Sequence, residues 1–425
     1  MVPEDWVVKP ISTITRWSSG GTPSKNKPEY WNGSIPWISA ASMRGMYYSD
    51  SELKITDQAA CVAKMAEPNT LLLLVRGSTL WNRIPVGITT QQVAFNQDVK
   101  CIEPIMPFIT PEFLLNWFLA HEHQLLNMVT GTGIGAGKLE TSDLQQLEIY
   151  LPPLPEQKKI ARILSSVDSK LALIDQQITT TQTLKKGLMQ KLFTQGVGTQ
   201  DIDGRWQPHT EFQESELGRI PTGWAVTKLD ELVTRGSGHT PDKQHPEYWN
   251  GGIKWISLAD SSRLDKGIIS TTDKEISYLG IDNSSAVLHP KGTVVMSRDA
   301  GIGKSALMGE DMAVSQHFIA WSCEQKGKLN NWFLYYLLQL MKPEFERIAI
   351  GSTIKTIGLP YFKKLKIAHP IEIAEQNEIA RILSTVDRKL GHLQTQKTQT
   401  QQLKKGLMQK LLTGQIRVQP DPQDN

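Results

Sequence analysis

One stretch of this chain is written twice, and that duplication limits the possible folds more than any other feature. Gly20-Gly21-Thr22-Pro23 leads into Pro28-Glu29-Tyr30-Trp31-Asn32-Gly33 and then Trp37-Ile38-Ser39. In the second half, Thr240-Pro241 leads into Pro246-Glu247-Tyr248-Trp249-Asn250-Gly251 and then Trp255-Ile256-Ser257, at an offset of 218 (249 less 31). The same offset carries Trp6 onto Trp224. Further on, Glu156-Gln157 and the run Ile160 to Ser165 return as Glu375-Gln376 and Ile379 to Ser384, at an offset of 219 (375 less 156). The run Leu184 to Leu192 returns unchanged as Leu403 to Leu411. Agreement over such a distance with a drift of one residue marks a tandem duplication, and it predicts two heads built alike.

The two copies agree unevenly. The opening motif and the C-terminal segment are nearly identical, whereas 40–130 and 258–350 have largely diverged. Matching scaffolds with unlike interiors are expected of heads that do different jobs, with neutral drift as the alternative.

Within each copy, short β-rich runs such as Thr70 to Val75 and Gly292 to Met296 are bounded by turn residues. Residues 111–128 and 329–341 have a helical pattern, with Trp117 and Trp332 expected to pack inward. Each head is therefore predicted as an α/β (α+β) domain, over 1–150 and 224–370. The segments that follow, 151–195 and 371–414, are predicted as long helices, with a linker at 196–223 and a tail at 415–425.

Apolar residues recur there in steps of three and four. The first stripe runs Ile160, Ile163, Leu164, Val167, Leu171, Ile174, Ile178, Leu184, Leu188 and Leu192; the second runs Ile379, Ile382, Leu383, Val386, Leu390, Leu393, Leu403, Leu407 and Leu411. Prolines at 152, 153 and 155 stop the first helix from extending backward. Its 38 residues from 156 to 193 would span roughly 57 Å. A stripe this long must be buried, and its best partner is the matching helix, giving a pseudo-two-fold antiparallel coiled coil with a head at either end. The Thr/Gln-rich middles, 179–183 and 395–402, are where this pairing should be weakest. Gly187 and Gly406 cost about 1 kcal/mol each relative to Ala inside a helix, so they either permit close backbone approach, the favoured reading, or mark breaks.

Composition narrows the classes. With 39% hydrophobic and 21% charged residues the chain is an ordinary globular one, and its net charge of +3 does not by itself announce a nucleic-acid binder. The charge is unevenly spread. Each helix segment (156–193 and 375–412) holds seven Lys/Arg and three Asp/Glu, so the two carry +8 and the remainder −5. Lys170 and Lys397 are read as solvated, while the repeated Lys185-Lys186 and Lys404-Lys405 could face DNA phosphate or an acidic partner. No apolar run reaches the roughly 18 residues of a membrane span, and the start lacks the pattern of a signal peptide. Three cysteines, Cys61, Cys101 and Cys323, have no metal-ligand spacing and suit a cytoplasmic chain without disulfides.

Catalytic motifs fail on inspection. Gly301-Ile302-Gly303-Lys304-Ser305 ends like a phosphate-binding loop, but Arg298 stands where its leading Gly must be. The Gly-rich run 131–138 departs from the same pattern and is better read, like 301–305, as a loop able to approach DNA backbone. Pro152-Pro153 lacks the flanking residues of an amino-methyltransferase loop. No metalloprotease, nucleophile-elbow or nuclease carboxylate pattern occurs, so the chain is read as non-catalytic, with no cofactor or metal of its own.

Base edges are read by Arg, Lys, Asn and Gln, while phosphate contacts set register. The candidates in head one are Arg44, Arg76, Asn82, Arg83 and Gln97. Those in head two are Arg263, Arg298, Lys304, Gln316 and His317. Arg76 and Arg298 each follow an apolar strand, and Gln97 and Gln316 stand at equivalent positions (316 less 97 is 219). For each residue a structural hydrogen bond or a solvated charge is the competing reading. The Tyr-Trp-Asn-Gly motif, unchanged between copies, is assigned to scaffold: Tyr30, Trp31, Trp37, Tyr248, Trp249 and Trp255 anchor core and loops.

Together, the Gly-x-Thr-Pro, Tyr-Trp-Asn-Gly and Trp-Ile-Ser motifs, the run from Leu151 to Ala161 and the repeated Leu-Lys-Lys-Gly-Leu-Met-Gln-Lys-Leu resemble the specificity subunits of Type I restriction–modification enzymes. The resemblance covers the chain from Trp6 to about Val418. It implies two target recognition domains reading a bipartite, asymmetric sequence in double-stranded DNA. It also implies helices that set the gap between half-sites and dock two methyltransferase subunits, which bind S-adenosylmethionine and modify adenine N6. A translocating restriction subunit would join through them. Two other readings stay open: a stand-alone bipartite DNA-binding protein, and a coiled-coil adaptor whose heads bind protein.

Overall fold

The computed structural model describes residues 3–132, 135–350 and 355–421. The middle of the Gly-rich run 131–138 and the last residues of the 415–425 tail thus lie outside the described residues. Two units form, one from residues 1–176 with 395–425 and the other from 177–394. Unit one therefore holds head one, the start of the first long helix, the end of the second and the tail. Unit two holds the end of the first long helix, the linker, head two and the start of the second.

Each head is built on a five-stranded sheet of the same order. In head one the order is Thr15–Ser19, Val99–Pro104, Leu71–Leu74, Val86–Thr89 and Tyr47–Tyr48; in head two it is Thr234–Ser237, Phe318–Ser322, Val294–Ser297, Ser305–Met308 and Ile268–Ile269. Only the last pair in each sheet is parallel. Leu71–Leu74 is buried throughout, as a central strand covered on both faces must be. The covering helix in head one is Pro111–Ala120, capped by the Thr110 hydroxyl, and in head two it is Asn331–Ile348, capped by Asn330.

The helix expected over 111–128 divides into Pro111–Ala120 and Glu122–Asn127, and the one over 329–341 runs on to Ile348. Trp117 is buried as expected. Trp332 is only half-buried and stacks on Tyr336.

The unchanged motif forms a second, smaller sheet and a clamp. Trp31–Ile38 and Trp249–Ile256 each carry a bulge after the tryptophan, where Asn32 and Asn250 adopt φ of 63° and 57°. Asn tolerates that left-handed backbone better than most residues, which explains its place in both copies. Trp31 packs edge-on against Trp37, and Trp249 against Trp255, with ring centroids 5.4 and 5.3 Å apart. The indole N–H of Trp31 donates to Ser24 O, and that of Trp37 to Gly21 O; Trp249 and Trp255 donate likewise to Asp242 O and His239 O. These bonds pin the Gly-x-Thr-Pro loop. A Cβ on Gly20 or Gly238 would lie 2.2 or 1.8 Å from a carbonyl oxygen of the adjoining strand end, so only glycine fits.

Each unit closes around one buried glutamate at the start of a long helix. In unit one, Glu156 accepts the Trp6 indole N–H, the Arg417 guanidinium and the Val418 amide, and Arg417 also grips Asp5. In unit two, Glu375 accepts the Trp224 indole, the Val197 and Gly198 amides and the His209 imidazole. Head two also buries His289 and His369, and desolvation pulls both imidazoles below their ordinary value of 6.5.

The long helices run Leu154–Gln195 and Ile373–Leu411. Ile160 and Leu164 join Leu411 and Leu412 in the core of unit one, with Ile163 and Leu407 against it; Ile379 and Leu383 join Leu192 and Phe193 in unit two, with Leu188 and Ile382 against it. Val167, Leu171, Val386 and Leu390 are half-buried. In unit one Asp168 pairs with Lys404 and Asp175 with Lys397, and in unit two Lys185 pairs with Asp387, each at 2.6 Å. Advancing along one helix moves the partner backward along the other, so the helices form an antiparallel coiled coil.

Three expectations change here. Leu184 and Leu403 are not in the seam: they are 53% and 54% exposed. The alternation of three and four continues instead through Thr181 and Lys185, and through Lys397, Thr400 and Lys404. Thr181 and Thr400 are buried, each hydroxyl bonded to the carbonyl four residues back. Lys185, Lys404 and Lys397 are therefore ion-paired, leaving Lys186 and Lys405 as the exposed members of their dipeptides. Gly187 and Gly406 neither break the helices nor permit close approach, since a Cβ on either would meet nothing within 4 Å.

Candidate nucleic-acid interface

The clamped loop leads to one turn in each head. Thr22, held in place by the indoles, donates its hydroxyl to Gln97 Oε1 at 2.7 Å, and Thr240 donates to Gln316 Oε1 at 2.6 Å. Both glutamines are exposed at the turn before the second strand of the main sheet. The scaffold motif thus ends at two polar side chains held in the same way.

Around that turn the heads differ. In head one, Val75 N–H donates to Asp98 O, placing Arg76 beside the turn, exposed, on the strand Arg76–Gly77. That strand pairs with Gly137–Lys138 of the Gly-rich hairpin, and the half-exposed Trp81 donates its indole N–H to Gly135 O. Asn82 is exposed on the same segment. Arg83 donates to Met43 O at 2.9 Å, which brings it beside the exposed Arg44. Arg83 is thereby tied to backbone, while Arg44, Arg76 and Asn82 project from the surface.

Head two brings Arg298, Gln316 and His317 together. Arg298 N–H donates to His317 O, and its guanidinium donates to Gln316 O at 3.1 Å and Ile357 O at 3.2 Å. His317 Nδ1 meets the buried carboxylate of Asp299, whose other oxygen accepts the Thr356 hydroxyl. Lys304 lies on the same hairpin but donates to the carbonyl and hydroxyl of Ser261, at 3.3 and 3.1 Å. Arg263 pairs with Asp260, which is fully buried. Arg298, Lys304 and Arg263 are thus committed to the fold, and Gln316 and His317 remain with exposed surface. Asp98, Asp299 and the two threonines were not among the sequence candidates. Asp98 flanks the aligned Gln97 and the threonines lie in the repeated Gly-x-Thr-Pro motif, whereas Asp299 stands in the diverged stretch and had no such signal.

A family model described as "Type I restriction modification DNA specificity domain" matches residues 3–181 and again 221–404. The chain belongs to the family of Type I restriction–modification specificity subunits. The MjaVIII specificity subunit of Methanocaldococcus jannaschii is 29% identical over 98% of this chain and 94% of its own length. The EcoR124I/EcoR124II specificity subunit of Escherichia coli is 29% identical over 43% of this chain and 44% of its own length. In fold, the chain is similar to the S subunit of a Type I system from M. genitalium, with a TM-score of 0.57 at 15% identity, covering 97% of this chain and 96% of that one. It is also similar to a chain of a type I R–M system solved in work on complex assembly and conformational transition, with a TM-score of 0.60 at 15% identity, covering 98% and 100%. Among the described residues, no helix of this family member is long and apolar enough to cross a membrane.

Proposed function

We propose that the two heads read the two halves of a bipartite, asymmetric DNA target. The observation that carries this is one turn, held identically by Thr22–Gln97 and Thr240–Gln316, with unlike side chains on either side of it. Shared geometry supplies a common approach to the duplex, and the unlike neighbours supply different sequences. The paired helices then set the unspecified gap between half-sites. Inserting two helical turns near Thr180 should lengthen the gap while leaving both half-sites intact.

The same chain docks two methyltransferase subunits and, through them, restriction subunits. The surface of the repeated nine-residue run supports this. Leu184, Gly187 and Lys186 in one copy, and Leu403, Gly406 and Lys405 in the other, keep their identity without being used in the seam. Beside them lies a groove of about 620 Å³ in unit one, lined by Gln401, Lys404, Lys405, Met408 and Gln409. A groove of about 460 Å³ in unit two is lined by the corresponding Gln182, Lys185, Lys186, Met189 and Gln190. Two equivalent surfaces fit two copies of one partner. On this reading the chain is non-catalytic and works in the cytoplasm, and S-adenosylmethionine is bound by the partners.

Exchange of residues 40–130 for those of another family member tests the reading. Methylation mapping should show one half of the recognised sequence changed and the other kept. A change in both halves sinks the two-head assignment.

A further inference from the structure

The turn that both heads hold alike carries a basic and an acidic residue in exchanged order at two matching positions. Val75 N–H donates to Asp98 O at 2.9 Å, as Arg298 N–H donates to His317 O at 3.0 Å. The Val75 carbonyl accepts from Leu139 and the Arg298 carbonyl from Ile357, both at 2.9 Å. Leu74 pairs with Val99, as Ser297 pairs with Phe318. These bonds make Val75 equivalent to Arg298 and Asp98 equivalent to His317, so the next residues, Arg76 and Asp299, also correspond. Head one therefore has a base at the strand end and an acid on the turn, and head two has the reverse. Between them the glutamine and its threonine are unchanged.

We propose, resting on the reading of the heads as DNA readers, that this pair of positions discriminates one base in each half-site: Arg76 in head one, and His317 positioned by Asp299 in head two. Gln97 and Gln316 make a contact common to both.

The chemistry of the two sites differs. Arg76 is exposed and offers only donors, in a fork that matches O6 and N7 of guanine. Head two presents an imidazole instead. A carboxylate can only accept, so His317 donates its Nδ1–H to Asp299, and Nε2 is the ring nitrogen left to face a base; in the neutral ring it carries the lone pair. That lone pair takes a hydrogen bond from an exocyclic amino group, N6 of adenine or N4 of cytosine. Thr356 occupies the other oxygen of Asp299, which fixes the carboxylate and through it the ring. Gln97 and Gln316 each have the oxygen engaged by a hydroxyl and the amide N–H groups left to donate, which suits phosphate, a group present in every sequence.

The full chain, with its methyltransferase partners present, would be used to select from a random-sequence duplex library. Wild type should enrich a bipartite motif with guanine at one position of one half-site and adenine or cytosine at one position of the other. Failure to enrich any bipartite motif overturns the function proposed above, independently of this inference.

Arg76→Ala should relax one base position in one half-site by roughly 5- to 150-fold, the loss expected for a bidentate pair. His317→Ala should relax one position in the other half-site. Retention of the untouched half-site shows that each variant is folded. Asp299→Asn keeps the shape but can donate to Nδ1, moving the ring proton to Nε2. Its preference should swing from adenine or cytosine to guanine or thymine, which present acceptors and no amino group in the major groove. Should Arg76→Ala abolish selection altogether, Arg76→Lys, which keeps charge and loses the fork, decides. Unchanged base preference in these variants, or an equal weakening for all sequences, would overturn the inference.

Discussion

Glu156 and Glu375 occupy the same place in the two units, each buried at the start of a long helix and each accepting a tryptophan indole, yet they are clasped differently. Glu156 is held by a guanidinium from residue 417, shared with Asp5. Glu375 is held by two backbone amides and a histidine from the linker. The carboxylate and the indole have been kept because they fix where the helix leaves the head. The remaining donors need only satisfy a buried acceptor, and different groups can do so. Geometry is the conserved quantity, and the donors are interchangeable.

This contrast can be broken most strongly by ending the chain after Thr413. Glu156 would lose Arg417 and Val418 together, and unit one should lose about 4 kcal/mol of stability. Hydrogen exchange should show deprotection of the segments around Trp6 and Ile160, with unit two unchanged. Equal loss in both units would mean that the clasps are not local.

Glu375→Ala should cost about 3 kcal/mol, confined to unit two, because several buried donors lose their acceptor at once. His209→Ala should cost less, since the backbone amides stay. The ordering of these two variants in chemical unfolding distinguishes a backbone clasp from a side-chain one.

Charge reversal sharpens the helix pairing. Asp168→Lys or Lys404→Glu should each cost about 1–2 kcal/mol, and the double variant should recover most of the loss. A double-mutant cycle with no coupling would remove the antiparallel register described here.

The smallest effect is in pH. His289 and His369 lie in unit two, with imidazoles held below 6.5 by burial. As pH falls below about 6.5 the unfolded chain takes up protons that these histidines refuse, so unit two loses stability there and keeps it above. Among the described residues unit one buries no histidine. Its lowered carboxyls, Asp5 beside Arg417 and Asp421 beside Lys159, contribute until the pH falls below about 3.8. Exchange measured at pH 5.5 and 7.5 should thus loosen unit two selectively.

The duplication, the α/β heads and the paired helices were all legible in the sequence, because repetition and period are local properties. The exact seam was not. Leu184 and Leu403 carry the right hydropathy at the wrong phase, while Thr181 and Thr400 carry a hydroxyl at the right one. Heptad phase outranks hydropathy, since a side chain pointing away from the partner cannot be buried by it.

The candidate surface was readable only in part. Gln97 and Gln316 could be matched by a constant offset, but Arg76 and Asp299 could not, because the diverged stretch before them changes length. Arg83, Arg298 and Lys304 looked available for DNA and are tied up by partners 40, 59 and 43 residues away. No local pattern records such closures.

Unit one has a further consequence for how the protein is made. Head one is synthesised before head two, but the helix end and tail that complete its unit, residues 395–421, follow head two. Unit two, by contrast, is one continuous stretch from 177 to 394. It can be finished while the first head still waits with Glu156 unclasped and one side of its helix bare. The second head in the sequence is therefore able to mature before the first, and head one is the one left longer exposed to proteases and misassembly.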